Sequence, residues 1–180
     1  MSTLTGIVMA GGKSSRMGTN KALLHFKGKR LIDRAVEIIL PLVDKIIISS
    51  NQPLPDIPYP FITDAVESIG PLGGLQACLN SSTTEWNILI PCDTPFLSVS
   101  LYQQMLQHTT AVDAVIAKHV DGKIEPLIGL YNRCLIPLME EQIARGDYKL
   151  INLLHRARIY YFETEELHQF RNMNYPGDLL

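Results

Sequence analysis

Apolar residues fall along the chain in two patterns. Short runs that are nearly apolar throughout, "GIVMA", "KIIISS", "YPFIT" and "WNILIP", have strand length and lack a polar residue at every second place. Between them lie segments with helical spacing, such as Leu31, Ala35, Ile38 and Ile39 in "RLIDRAVEIILPLV". Strands that are apolar on both faces must be covered on both faces. The alternation therefore predicts an α/β chain, a three-layer α/β/α sandwich around a mostly parallel sheet.

The second half continues the pattern. "SVSLYQQMLQHT" reads as a helix with Ser98 or Ser100 as its N-cap, and "DAVIAK" and "PLIGLYN" read as strands. "RCLIPLMEEQIARG" is a helix with Pro137 in its first turns, ending at Gly146, where a left-handed residue suits glycine. "YKLINLLHRA" is a shorter helix and "RIYYFE" a last strand. No repeat or low-complexity tract interrupts the series, and the proline-rich "NQPLPDIPYP" is too short for an interdomain tether. Residues 1–180 are expected to form a single domain.

Composition narrows the function classes. A net charge of −2 lacks the basic bias of a long phosphate footprint, so no nucleic-acid partner is expected. Cys78, Cys92 and Cys134 are odd in number and widely spaced, which argues against a disulfide framework and a CxxC metal site and fits a reduced, cytoplasmic setting. No run reaches membrane-spanning length, and the N-terminus reads as a first strand, not a signal peptide. The five histidines show no ligand spacing and are expected on the surface or on helix faces.

Candidate chemistry begins where the first strand ends. Gly11, Gly12 and Gly18 bracket a turn at the carboxyl end of a buried strand, the edge at which open α/β sheets bind ligands. Bare backbone there leaves successive N–H groups for phosphate oxygens, and Lys13, Arg16 and Lys21 add charge-assisted bonds. The spacing is neither the P-loop G-x-x-x-x-G-K-[ST] nor the dinucleotide G-x-G-x-x-G. Asp93 follows "WNILIP". Alone it would serve equally as a cap or turn residue, but parallel strands share one carboxyl edge, which places it beside the glycine turn as a hard ligand for Mg²⁺ next to a triphosphate. Asp64 ends another strand, and Gly70, Gly73 and Gly74 precede or open a helix begun by Pro71, either for tight packing or to admit a base or ribose. Ser49 and Asn51 are polar at a strand end, as nucleotide contacts or as turn formers. Cys92 has no ordered base implied beside it, and phosphoryl transfer needs no covalent step.

The stretch "AGGKSSRMGTNKALL" resembles the G-G-x-S-x-R-M-G-x-D-K signature of the MobA-like nucleotidyltransferases, which include guanylyl- and cytidylyltransferases of the molybdenum cofactor and sugar-nucleotide relatives. One position departs: Asn20 stands where the family carries Asp, keeping an acceptor oxygen and losing the charge. "PCDTPF" resembles the family's P-x-D-x-P segment, and "TDAVESIGPLGGL" its D…GPLaGi element. The resemblance implies a Rossmann-like nucleotidyltransferase fold. It implies nucleotide contacts from Met9, Ala10, Gly11, Gly12, Lys13, Lys21, Asp64, Gly73 and Asp93, with Ser49 at the place of a family asparagine and Asn51 two residues later. Arg16, Lys21 and Asp93 would be catalytic, Asp93 holding Mg²⁺. "VDGKIEPLIGLYN" and "FRNMNYPGDLL" resemble acceptor-side elements, which puts Glu125, Asn172 and Asn174 at the acceptor. "AGG", where cytidylyl-transferring relatives tend to have "AAG", associates with guanine. The implied reaction is Mg-dependent transfer of GMP from GTP to molybdopterin-bound molybdenum cofactor with release of pyrophosphate, with molybdoenzyme maturation proteins as partners. The alternatives are cytidylyl transfer to the same cofactor or to a sugar or polyol phosphate, and nucleotide binding without catalysis.

Overall fold

The computed structural model describes residues 3–11, 20–52, 54–63 and 69–173. Each apolar run above forms a strand and each helical period a helix. In chain order the elements are β1 (Leu4–Met9), β2 (His25–Phe26), β3 (Lys29–Arg30), α1 (Leu31–Ile39), β4 (Lys45–Ser49), β5 (Phe61–Ile62), α2 (Pro71–Ser81), β6 (Trp86–Pro91), α3 (Val99–Met105), β7 (Ala114–His119), β8 (Ile124–Asn132), α4 (Ile136–Ala144), α5 (Leu150–Leu154) and β9 (Ile159–Thr164).

Seven strands make one sheet in the order β5-β4-β1-β6-β8-β7-β9, all running the same way except β8, which is antiparallel to both neighbours. Adjacent residues of each strand face opposite sides, so one sequence feeds two cores. Val8, Ile48, Ile88 and Val115 pack against α1 and α3 on one face, among residues such as Ile32, Ile39, Leu101 and Tyr102. Ile7, Ile47, Leu89 and Ile116 pack against α2, α4 and α5 on the other, among Leu72, Leu75, Met139 and Leu153. This is the three-layer sandwich with a mostly parallel sheet.

Local chemistry sets the boundaries. Helix α1 stops at Ile39 because Pro41 follows in a 3-10 turn, Leu40–Leu42. Ser98, and not Ser100, caps α3, its hydroxyl accepting from the Leu101 N–H at 3.2 Å. Pro137 sits in the first turn of α4, and Gly146 follows that helix with φ 76°. The β2–β3 hairpin is an element the apolar pattern does not announce. Its turn, Lys27 and Gly28, has φ of 49° and 79°, the pair of positive values that a two-residue hairpin loop requires.

The two edges of the sheet differ in kind. At the amino edge the buried hydroxyls of Thr5, Ser82 and Thr84 bond one another, with Thr84 donating to Thr5 at 2.8 Å. Their polarity is consumed internally. At the carboxyl edge β4, β1 and β6 finish together, with Met9 beside Ser49 on one side and Pro91 on the other.

Gly129 lies where β8 crosses closest to β7: a Cβ there would stand 2.7 Å from the Val115 carbonyl oxygen, which is backbone and cannot yield. Gly129→Ala is expected to lower the urea midpoint by the equivalent of about 1–3 kcal/mol. An unchanged midpoint would show that β7 and β8 separate without cost.

Candidate functional site at the carboxyl edge of the sheet

Backbone bonds carry the central strands slightly past their ends. The Ala10 N–H donates to the Ser49 carbonyl at 2.9 Å, and the Cys92 N–H donates to the Met9 carbonyl at 3.1 Å. Gly11 and Asp93 therefore emerge from neighbouring strands of one fixed edge. A Cβ on Gly11 would make only ordinary contacts, at 3.7 Å to the Ser49 carbonyl oxygen and 3.9 Å to Ser50 Cα. Nothing described in the protein forbids a side chain there.

Lys21 returns to this edge on a 3-10 turn, Lys21–Leu23, which Asn20 caps: its side-chain oxygen accepts from the Ala22 N–H at 3.0 Å. The cap needs an acceptor oxygen and no charge, which an amide supplies as well as a carboxylate. Ala22 is fully buried and anchors the turn in the core. Lys21 Nζ then meets Asp93 Oδ2 at 2.6 Å, across 72 residues of sequence.

The turn that carries Asp93 is itself fastened by its neighbours. Thr94, buried behind it, donates its hydroxyl to the Pro91 carbonyl at 3.2 Å. The Met173 N–H donates to the Asp93 carbonyl at 2.8 Å, so the segment 171–173 lies along the turn. Upstream in that strap the buried Gln169 accepts from the Ser98 N–H at 2.9 Å. A small apolar cluster, Phe26, Leu31 and Met173 with Leu24 and Phe96 against it, ties the Lys21 segment, the Asp93 segment and the strap together. Phe26 and Phe96 meet edge to face, ring centres 5.4 Å apart. The motif-based reading missed this clamp; its trace in the sequence is aromatic residues, Phe26 and Phe96, in segments too short for core elements.

The other expected residues divide clearly. Ser49 is buried in the sheet end, whereas Asn51 is exposed in the bend just beyond it. Gly70 has φ 74° and ψ −160°, a region open to glycine alone, and lets the chain turn into α2; Gly73, buried in the first turn, donates its N–H to the Gly70 carbonyl at 3.2 Å. Glu125 lies at the same edge in β8, where its Oε1 takes Lys123 Nζ at 2.6 Å and His119 Nε2 at 3.0 Å. Asn172 is exposed within the strap. Gly12, Lys13, Arg16, Asp64 and Asn174 lie outside the described residues. One expectation needs correction: His119 is neither on the surface nor on a helix. It is 8% exposed in β7, stacked on Phe170 with ring centres 4.5 Å apart, because the polar face of the ring finds Glu125 and the flat face finds an aromatic.

Among the described residues no group of three or more His, Cys, Asp or Glu side chains converges as a metal cage. The donor set instead suits an ion that takes one carboxylate and completes its shell from phosphates and water, since the second oxygen of Asp93 has no partner among the described residues. Among those residues, too, no helix is long and apolar enough to cross a membrane.

Residues 6–159 match the MobA-like NTP transferase domain. A Flavobacterium johnsoniae protein named probable molybdenum cofactor guanylyltransferase is 33% identical over 182 residues, covering 99% of this chain and 96% of that one. A Yersinia pestis molybdenum cofactor guanylyltransferase is 32% identical over 183 residues, covering 97% and 92%. The crystal structure of molybdopterin-guanine dinucleotide biosynthesis protein A from Archaeoglobus fulgidus superposes with a TM-score of 0.80 at 24% identity over 97% of this chain and 94% of that one, which shows the same fold.

Cys92 adjoins the pair but is no nucleophile. Burial, with the neighbouring Asp93 charge, pushes its thiol up to about 12. At pH 8 the thiolate is then about one part in ten thousand. Iodoacetamide at pH 8 is expected to leave Cys92 unmodified in the folded chain and to label it once urea unfolds the protein, as read by mass spectrometry of peptides. Native labelling at the rate of a free thiol would contradict the assignment.

Proposed function

Because the chain belongs to the MobA-like NTP transferase family, we propose that it transfers GMP from GTP to molybdopterin-bound molybdenum cofactor and releases pyrophosphate. The observation that carries this reading is the Lys21–Asp93 pair at the shared carboxyl edge, a cation and a carboxylate fixed side by side where a triphosphate would cross the strand ends. The choice of guanine and of the molybdenum cofactor rests on what the similar proteins are named.

In the reaction an oxygen of the acceptor phosphate attacks the α-phosphorus of GTP. The bond from that phosphorus to the bridging oxygen breaks, and its electron pair leaves with pyrophosphate. The attacking oxygen is already ionised, so no general base is needed. Lys21 stabilises charge on the leaving oxygens, and with its ammonium already beside Asp93 it needs little reorganisation as that charge develops. Gly11, where no described protein atom excludes a side chain, is bare so that phosphate can approach the backbone. Gly12, Lys13 and Arg16, which follow Gly11 in the sequence, extend the phosphate seat. Asn51, exposed beyond β4, and Asp64 contact the nucleoside, and Gly73 gives it room at α2. Glu125, Asn172 and Asn174 bound the acceptor. Enzymes of this family work with a divalent metal; here Asp93 would hold Mg²⁺, which when bound neutralises phosphate charge and aligns the in-line displacement.

The test is pyrophosphate release from GTP with Mg²⁺ and molybdopterin, run in parallel with CTP. Faster turnover with CTP would sink the guanylyl assignment. Asp93→Asn keeps the shape of the turn and removes the charge, and is expected to cut turnover by about two to three orders of magnitude while the melting curve stays in place. Wild-type turnover in this variant would remove Asp93 from the mechanism.

A further inference from the structure

Strands β6 and β8 begin as a regular antiparallel pair and then part. Their ladder runs from Trp86 opposite Asn132 to Leu89 opposite Gly129, and stops, although β6 continues through Ile90 and Pro91 beside β1. On its other side β8 stays with β7, but irregularly: Gly129 pairs with Ile116 and Glu125 pairs with Ala117, so Pro126, Leu127 and Ile128 are accommodated between two successive residues of β7. This is a bulge of three residues at the carboxyl edge, next to the strand that delivers Asp93.

Two prolines make the parting chemically consistent. The Cys92 N–H points to β1, where it meets the Met9 carbonyl, so the nitrogen of Pro91 faces β8 and has no hydrogen to offer. Pro126, in the bulge, likewise has no N–H. Pro126 has no paired residue on β7, and its carbonyl is met from within β8 itself: the Tyr131 hydroxyl donates to it at 2.6 Å. Tyr131 is fully buried among Leu89, Ile116 and Met139, so its ring cannot move aside. Gly129, which cannot take a side chain, is the pivot between the tyrosine and the bulge.

We propose that Tyr131 is a positioning residue that holds the Pro126–Ile128 bulge open through the Pro126 carbonyl, and so sets the acceptor side of the cleft beside Asp93. It touches no substrate. It acts on where Glu125 stands, because Glu125 immediately precedes Pro126 and is the last residue of β8 paired with β7 before the bulge. The proposal rests on the reading of this edge as a nucleotidyltransferase site with its acceptor on the β8 side.

Tyr131→Phe removes one oxygen and keeps the ring. The expected result is an acceptor KM raised about tenfold, with GTP affinity by thermal shift within twofold of wild type. A purely structural loss would weaken both ligands together. The companion variant Pro126→Ala retains the carbonyl and its bond to Tyr131, and is expected to keep the acceptor KM within threefold of wild type. Binding of molybdopterin alone, without nucleotide, should weaken in Tyr131→Phe by the same factor as KM. An unchanged acceptor KM in folded Tyr131→Phe overturns the proposal, as does an equal loss of GTP affinity. Failure of the wild-type chain to turn over GTP with molybdopterin would instead overturn the functional reading on which it rests.

Discussion

Strands β4, β1 and β6 end at one level, and a parallel sheet has nothing of its own to place beyond its last hydrogen bonds. The chain must leave each strand there in a turn, with polar backbone exposed and room for a ligand. The 2.6 Å contact of Lys21 with Asp93 is built on that termination. Asp93 is delivered by β6, whose position is fixed by pairing with β1 over six residues, and Lys21 by a turn anchored through buried Ala22. If β6 slipped against β1, the carboxylate would leave the reach of the ammonium.

A cation and a carboxylate a quarter or less exposed would be a weak source of stability taken alone, because each gives up hydration to meet the other. The surrounding apolar clamp changes what the pair does. Phe26, Phe96 and Met173 draw three distant segments together, and the Met173 N–H bonds the Asp93 carbonyl. Hydrophobic burial, not the ion pair, holds the geometry. The histidine expected on the surface or on a helix face joins the same construction instead: His119 stacks on Phe170 and so fastens the strap that carries Met173 to the end of β7.

The single antiparallel strand gives the edge its asymmetry. On the β4 side the strand ends are parallel and the exposed Asn51 follows a buried Ser49. On the β8 side the chain arrives in the opposite direction, with Glu125, Lys123 and His119 gathered at a hairpin. A nucleotide and an acceptor differ in shape and in the groups they present. On the proposed reading, a sheet with one reversed strand would offer each a differently constructed wall.

The fold class was readable from the chain because burial on both faces leaves no choice of residue type: "GIVMA", "KIIISS" and "WNILIP" can only be interior strands. The place of Gly11 and Asp93 at neighbouring strand ends was readable because a strand end in such a sheet has one place to be. The orientation of β8 was also latent in the sequence, since the short link from His119 to Ile124 cannot make a parallel crossover. The burial of His119, the strap across Asp93 and the bulge pinned by Tyr131 belong to the tertiary structure alone. Each depends on which face of a strand meets which neighbour, and that is settled by packing between residues far apart in the chain, where local periodicity carries no information.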